Sequence, residues 1–133
     1  MDKKLIELLE RIGSDKELAA AFSSGLKTGK HLNITGLCAE QKVYVAMALA
    51  RLNGRKAVFI EPDSARARVT ASYCAAFTDG PVPVLMPSEL SLVSAEASSR
   101  DLELTRSAAL SELVTGGFGA AVIASRINHS ARR

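Results

Sequence analysis

Apolar positions along the chain change period near residue 30. Before that point the spacing is helical: Leu5, Leu8, Leu9 and Ile12 fall at i, i+3, i+4 and i+7 and predict an amphipathic helix that stops near Gly13. Ser14, with Glu17 three residues on, has capping-box spacing. It predicts a second short helix whose Leu18, Ala21 and Phe22 run toward Gly25. From Lys30 onward, short β-rich runs alternate with helical stretches. HLNITG is followed by a helix from Ala39 to Asn53, KAVFIE by a helix from Asp63 to Thr78, and VPVLM by a long helix from about Ser94 to Val114, with AAVIAS last. Strands separated by helices of this length imply right-handed crossovers, so the predicted fold is α/β: a parallel, doubly wound sheet of about four strands preceded by N-terminal helices. The expected division is an N-terminal helical segment, 1–27, and an α/β domain, 28–133. The helix from Ala39 to Asn53 is apolar nearly all round, as for a helix held between a sheet and other elements.

With 133 residues, 47% hydrophobic content and a net charge of +3, the chain falls in the range of one compact domain. No apolar run approaches the roughly 18 residues of a membrane span, and the charged start MDKKLIELLERIG is unlike a signal peptide. A cytoplasmic protein with no membrane partner is expected. Cys38 and Cys74 have no Cys or His at metal-ligand spacing, so free thiols are expected and no metal is assigned. The basic excess gathers at Arg126, Arg132 and Arg133 without interleaved aromatics, which argues little for nucleic acid.

Candidate chemistry concentrates in GLCAEQKV, Gly36 to Val43, which has the register of the phosphate-binding loop G-x-x-x-x-G-K-[ST]. Gly36 and Lys42 match. Gln41 stands where the second glycine belongs, and Val43 replaces the hydroxyl that would hold Mg²⁺. Glu40 also sets a carboxylate where phosphates would lie. At about 6 Å and an effective dielectric near 20, its repulsion is about 3 kcal/mol per phosphate charge, comparable to one charged hydrogen bond. The loop is therefore read as degenerate, with no cofactor bound. GLKTGKH, Gly25 to His31, contains a Gly-Lys pair in the wrong context and reads as a helix end and turn.

EPDSARARV follows the second predicted strand, and Asp63 suits an N-cap there. Ser64, Arg66 and Arg68 are nucleic-acid candidates through hydroxyl, guanidinium and helix N-terminus, although Glu61 opposes them. On the long helix, Leu102, Ala109, Leu110, Leu113 and Val114 form a stripe that includes Arg106, for which Glu103 or Asp101 is the expected ion-pair partner. His31 and His129 lack an acid or nucleophile at a recognisable spacing, and no G-x-S-x-G or H-E-x-x-H pattern occurs, so no catalytic residue is named.

The order KHLNITGL, VYVAMALARL, RKAVFIEPDSARA, VLMPSELSLVSAEASSRDLELTRSAALSELVTGG and AAVIAS resembles the N-terminal module of bacterial transcription-repair coupling factors, itself similar to the first domain of the excision-repair helicase UvrB. The resemblance spans about Leu18 to Ser125, and its most specific part is PSEL…SRDLELTRSAAL…VIAS. It implies a partial RecA-like (P-loop NTPase) fold whose nucleotide site has decayed. The implied function is that of a non-catalytic scaffold or interaction domain in nucleotide-excision repair. Repair proteins, RNA polymerase and DNA would then be partners, mostly through domains outside this chain. The alternative is a P-loop ATPase with a divergent loop, using ATP and Mg²⁺. Because RINHSARR follows AAVIAS at once, a shortened sheet with an uncovered strand edge is expected, and with it homo-oligomerisation.

Overall fold

A computed structural model describes residues 3–87 and 96–125. It is a mixed α/β fold. The order is α1 (Lys3–Gly13), α2 (Lys16–Thr28), α3 (Ala39–Leu52), β1 (Ala57–Glu61), α4 (Ser64–Ala75), β2 (Val84–Leu85), α5 (Glu96–Thr115) and β3 (Ala120–Ala124). The predicted start of α5 at Ser94, the Leu5 side chain, and the tail with Arg126, His129, Arg132 and Arg133 lie outside the described residues. Among the described residues, no helix is long and apolar enough to cross a membrane.

The sheet is parallel, as the alternation of strands and helices requires, with three strands in the order β1-β3-β2 among the described residues. The register sets Ala57 beside Ala120, Phe59 beside Val122 and Glu61 beside Ala124, while Val84 also pairs with Val122. Because side chains alternate along a strand, these residues share one face, and Val58, Ile60, Ala121, Ile123 and Leu85 share the other. The first face carries the core. α4 lays Ala67, Thr70 and Cys74 on it at i, i+3 and i+7, and α3 adds Val43, Met47 and Ala50 at i, i+4 and i+7. Val43 and Leu49 are fully buried, each stabilising by about 1.5–3 kcal/mol relative to exposure. α1 closes this layer by packing on α3 through Leu9 and Ile12, so α1 is continuous with the α/β core, while α2 buries no residue. The second face is covered by α5 chiefly at β2, which leaves Val58 and Ile60 exposed at β1.

Four local expectations are corrected. HLNITG is not a strand: residues 30–35 are irregular, with Leu32 and Ile34 exposed. Alternation supplies a side-chain pattern, whereas a strand exists only where a ladder partner is present, and among the described residues none pairs with this segment. The expected count of about four strands becomes three among the described residues. α2 is capped by Asp15, whose Oδ1 accepts from the Glu17 and Leu18 N–H groups at 3.1 Å, while the Ser14 hydroxyl donates back to Glu10 O. That helix continues through Gly25 to Thr28 and ends at Gly29, whose φ of +66° supplies the left-handed turn. On α5 only Ala109 of the predicted stripe is fully buried, and Val114 is 86% exposed.

Candidate functional site at the degenerate phosphate loop

Gly36 adopts φ +81°, a conformation glycine takes without strain, so it does turn the chain. The loop beyond this turn is short. α3 begins at Ala39, only two residues after Leu37, with Cys38 as its N-cap in an extended conformation. Glu40, Gln41 and Lys42 are therefore helical, and their N–H groups run along the helix axis instead of curling around a common centre. A phosphate cradle needs residues 37–41 as loop, and three of them, 39–41, are helical here.

The side chains reinforce this arrangement. Gln41 Oε1 accepts from the Cys38 N–H at 3.0 Å, closing the first turn of α3 on itself. Glu40 bonds to two neighbours: Cys38 Sγ donates to its Oε2 at 3.2 Å and the Tyr73 hydroxyl of α4 donates to its Oε1 at 2.9 Å. These bonds, the Cys38 one first, then that from Tyr73 and its own backbone N–H, hold the Glu40 carboxyl below the usual carboxylate range. The Tyr73 phenol is correspondingly raised, chiefly by its bond to Glu40. Val43 is 2% exposed and points into the core, so the position that carries a metal-binding hydroxyl in a working loop is here a packing position.

Lys42 is exposed and faces a groove of about 730 Å³ beside β1, lined also by Phe59, Ile60, Glu61, Arg66 and Thr70. Asp63 caps α4 as expected, its Oδ1 accepting from the Arg66 N–H at 2.8 Å, and its Oδ2 lies 3.9 Å from Arg66 Nε. Of the nucleic-acid candidates, Ser64 is half-buried in the first turn of α4, and Arg66 reaches the groove with Lys42. Arg68, two positions on, projects from another side of the helix and does not line it. Pairing Lys42 with Arg66 required knowing that α3 and α4 lie side by side.

Two interactions escaped sequence reasoning for the same reason. Thr70, 6% exposed, donates its hydroxyl to Glu61 Oε1 at 2.6 Å, tying the end of β1 to α4. Arg106 donates to the backbone carbonyl of Met86, just after β2, where Glu103 or Asp101 was the expected partner. Among the described residues, no group of three or more His, Cys, Asp or Glu is placed to hold a metal ion. Comparisons with protein-family models, characterised proteins and solved structures find no match to this chain.

Proposed function

We propose that this chain is a non-catalytic scaffold and interaction module of the transcription-repair coupling factor kind, serving excision repair in the cytoplasm through its partners and not through nucleotide turnover. In this reading the three parallel strands are part of a RecA-like sheet and the segment from Gly36 to Val43 is a phosphate loop converted to helix. The resemblance in PSEL…SRDLELTRSAAL…VIAS supports the family assignment. The observation that carries the non-catalytic reading is the early start of α3. With Ala39 already helical, the Cys38 N–H is taken by Gln41 Oε1 and the Lys42 N–H by the Cys38 carbonyl, so backbone donors that a phosphate loop would turn toward a triphosphate are used within the chain.

Isothermal calorimetry with ATP, with and without Mg²⁺, tests it. No measurable heat of binding at about 1 mM ligand is expected, corresponding to an affinity weaker than about −4 kcal/mol. Micromolar, Mg²⁺-dependent binding would replace this reading with that of a divergent P-loop ATPase.

A further inference from the structure

β1 is an edge strand with one side unpaired among the described residues. In a parallel ladder, alternate residues turn both backbone groups to the same neighbour. Here the Ala57 N–H donates to Gly119 O at 3.2 Å and the Ser125 N–H donates to Glu61 O at 2.7 Å, which fixes the phase. Ala57, Phe59 and Glu61 serve β3, so Val58 and Ile60 direct two N–H and two C=O groups toward the open side. Their side chains stand on the sheet face that α3 and α4 do not cover, 52% and 73% exposed. A groove of about 730 Å³ runs beside Phe59, Ile60 and Glu61, with Lys42 and Val43 of α3 and Val69 of α4 as its other walls, and an unpaired strand edge of this kind is a template for an extended chain.

We propose that the occupant is β1 of a second copy of this chain, added antiparallel about a two-fold axis that passes beside Phe59. In this register Val58 faces Ile60 of the second copy, Ile60 faces its Val58, and the two Phe59 residues face each other. The phase of the ladder makes the Val58–Ile60 pairs the hydrogen-bonded ones, so four backbone bonds form and none of the eight outward groups is left over. The flanks are complementary only in this direction. Arg55 and Lys56 precede the strand, while Glu61 and Asp63 close it. Antiparallel addition sets Arg55 opposite Asp63 of the second copy at both ends, whereas parallel addition would set like charges together. Because the axis is perpendicular to the sheet, both copies place Val58 and Ile60 on the same side, and the four side chains cover one another. The result is a continuous six-stranded sheet. The contact is small, so a dissociation constant on the order of 0.1 mM is expected, typical of interfaces well below standard size.

Sedimentation equilibrium from about 5 μM to 1 mM, with amide exchange followed by NMR at both ends of that range, tests the proposal. A dimer is expected in which the Val58 and Ile60 amides are slowed several-fold at the higher concentration. Ile60→Pro removes an outward N–H that β3 does not use, and is expected to weaken association at least tenfold with the circular dichroism of the monomer unchanged. Should that variant fail to fold, Arg55→Glu on the exposed flank is expected to weaken association about three- to tenfold. A wild-type chain monomeric to 1 mM would overturn the proposal. So would a dimer whose Val58 and Ile60 amides exchange equally fast at both concentrations, or an Arg55→Glu variant that dimerises as tightly as wild type.

Discussion

Restoring the two missing consensus positions, Gln41→Gly with Val43→Thr, is expected to weaken the fold and to gain no affinity for MgATP. Glycine in the first turns of α3 costs about 0.5–1 kcal/mol relative to alanine. Removing Gln41 also leaves the Cys38 N–H without the acceptor that sits 3.0 Å away, a further loss of about 0.5–1 kcal/mol. At position 43 threonine keeps the shape of valine but brings a hydroxyl to a site 2% exposed. Without a partner that costs about 1–3 kcal/mol, less where the hydroxyl turns back to the Ala39 carbonyl one turn earlier. The sum is about 2–5 kcal/mol. For a chain of this length it lowers the melting temperature by on the order of 10 °C.

The same melts read out binding. Ligand present at about 100 times its dissociation constant adds about 2.7 kcal/mol to the folded state, enough to return most of the lost melting temperature. At about 5 mM MgATP, a variant that had regained a phosphate loop with a dissociation constant near 50 μM would show that recovery. The expected outcome is a destabilised protein whose melting temperature does not respond to MgATP. A rise of several degrees would refute the reasoning, because it would mean that side-chain identity, and not the start of α3 at Ala39, keeps phosphate out.

Two further outcomes are expected of the site. The Cys74 thiol is pushed up to about 11, chiefly by burial and further by the charge of Glu61, from an ordinary value near 9. The folded state therefore holds the proton that the unfolded chain releases first: stability from this group is complete below about pH 9 and is lost as pH rises toward about 11. Denaturant titrations across that range check it, and Cys74→Ala should flatten the alkaline fall. For DNA, the groove gathers only Lys42 and Arg66. The affinity for duplex should therefore depend on salt with a log–log slope near −1.8, reduced by about 0.9 in Arg66→Ala and unchanged in Arg68→Ala, as fluorescence anisotropy at several salt concentrations would show.

What was legible in the sequence was what local pattern determines. The runs KAVFIE and AAVIAS are short, rich in β-branched residues and bounded by turn or capping residues, and they form β1 and β3. Asp63 caps α4 because a carboxylate three residues from the N–H that donates to it needs no distant partner. The start of α3 at Ala39 was also readable. Its consequence for the loop was harder to read, since the motif register invites treating residues 37–41 as loop when three of them are helical. The misses are non-local. HLNITG has a strand pattern and, among the described residues, no ladder to join; Arg106 finds a carbonyl twenty residues away; Glu40 is held by a tyrosine thirty-three residues on. Asp15 displaces Ser14 as cap by one position, a choice between two good capping residues that the backbone turn decides.

In parallel βα folds, ligands bind beyond the carboxyl ends of the strands, where helix N-termini converge and carry partial positive charge. Here that end of β1 meets the first turns of α3 and α4, and its polar side chains are largely committed within the chain. Glu61 accepts from Thr70, Glu40 accepts from Tyr73 and Cys38, and Asp63 caps α4. Two carboxylates, Glu61 and Asp63, stand there against the two cations Lys42 and Arg66, so the field that would attract phosphate is largely cancelled before any ligand arrives. The unspent binding capacity of β1 lies along its side instead of at its end: two outward amides, two outward carbonyls, and the exposed side chains of Val58 and Ile60. Backbone pairing needs neither a cation cluster nor a metal, only an extended chain of matching phase. In the proposed reading β1 therefore recognises protein along its side, by backbone pairing that asks nothing of the residues from Gly36 to Val43.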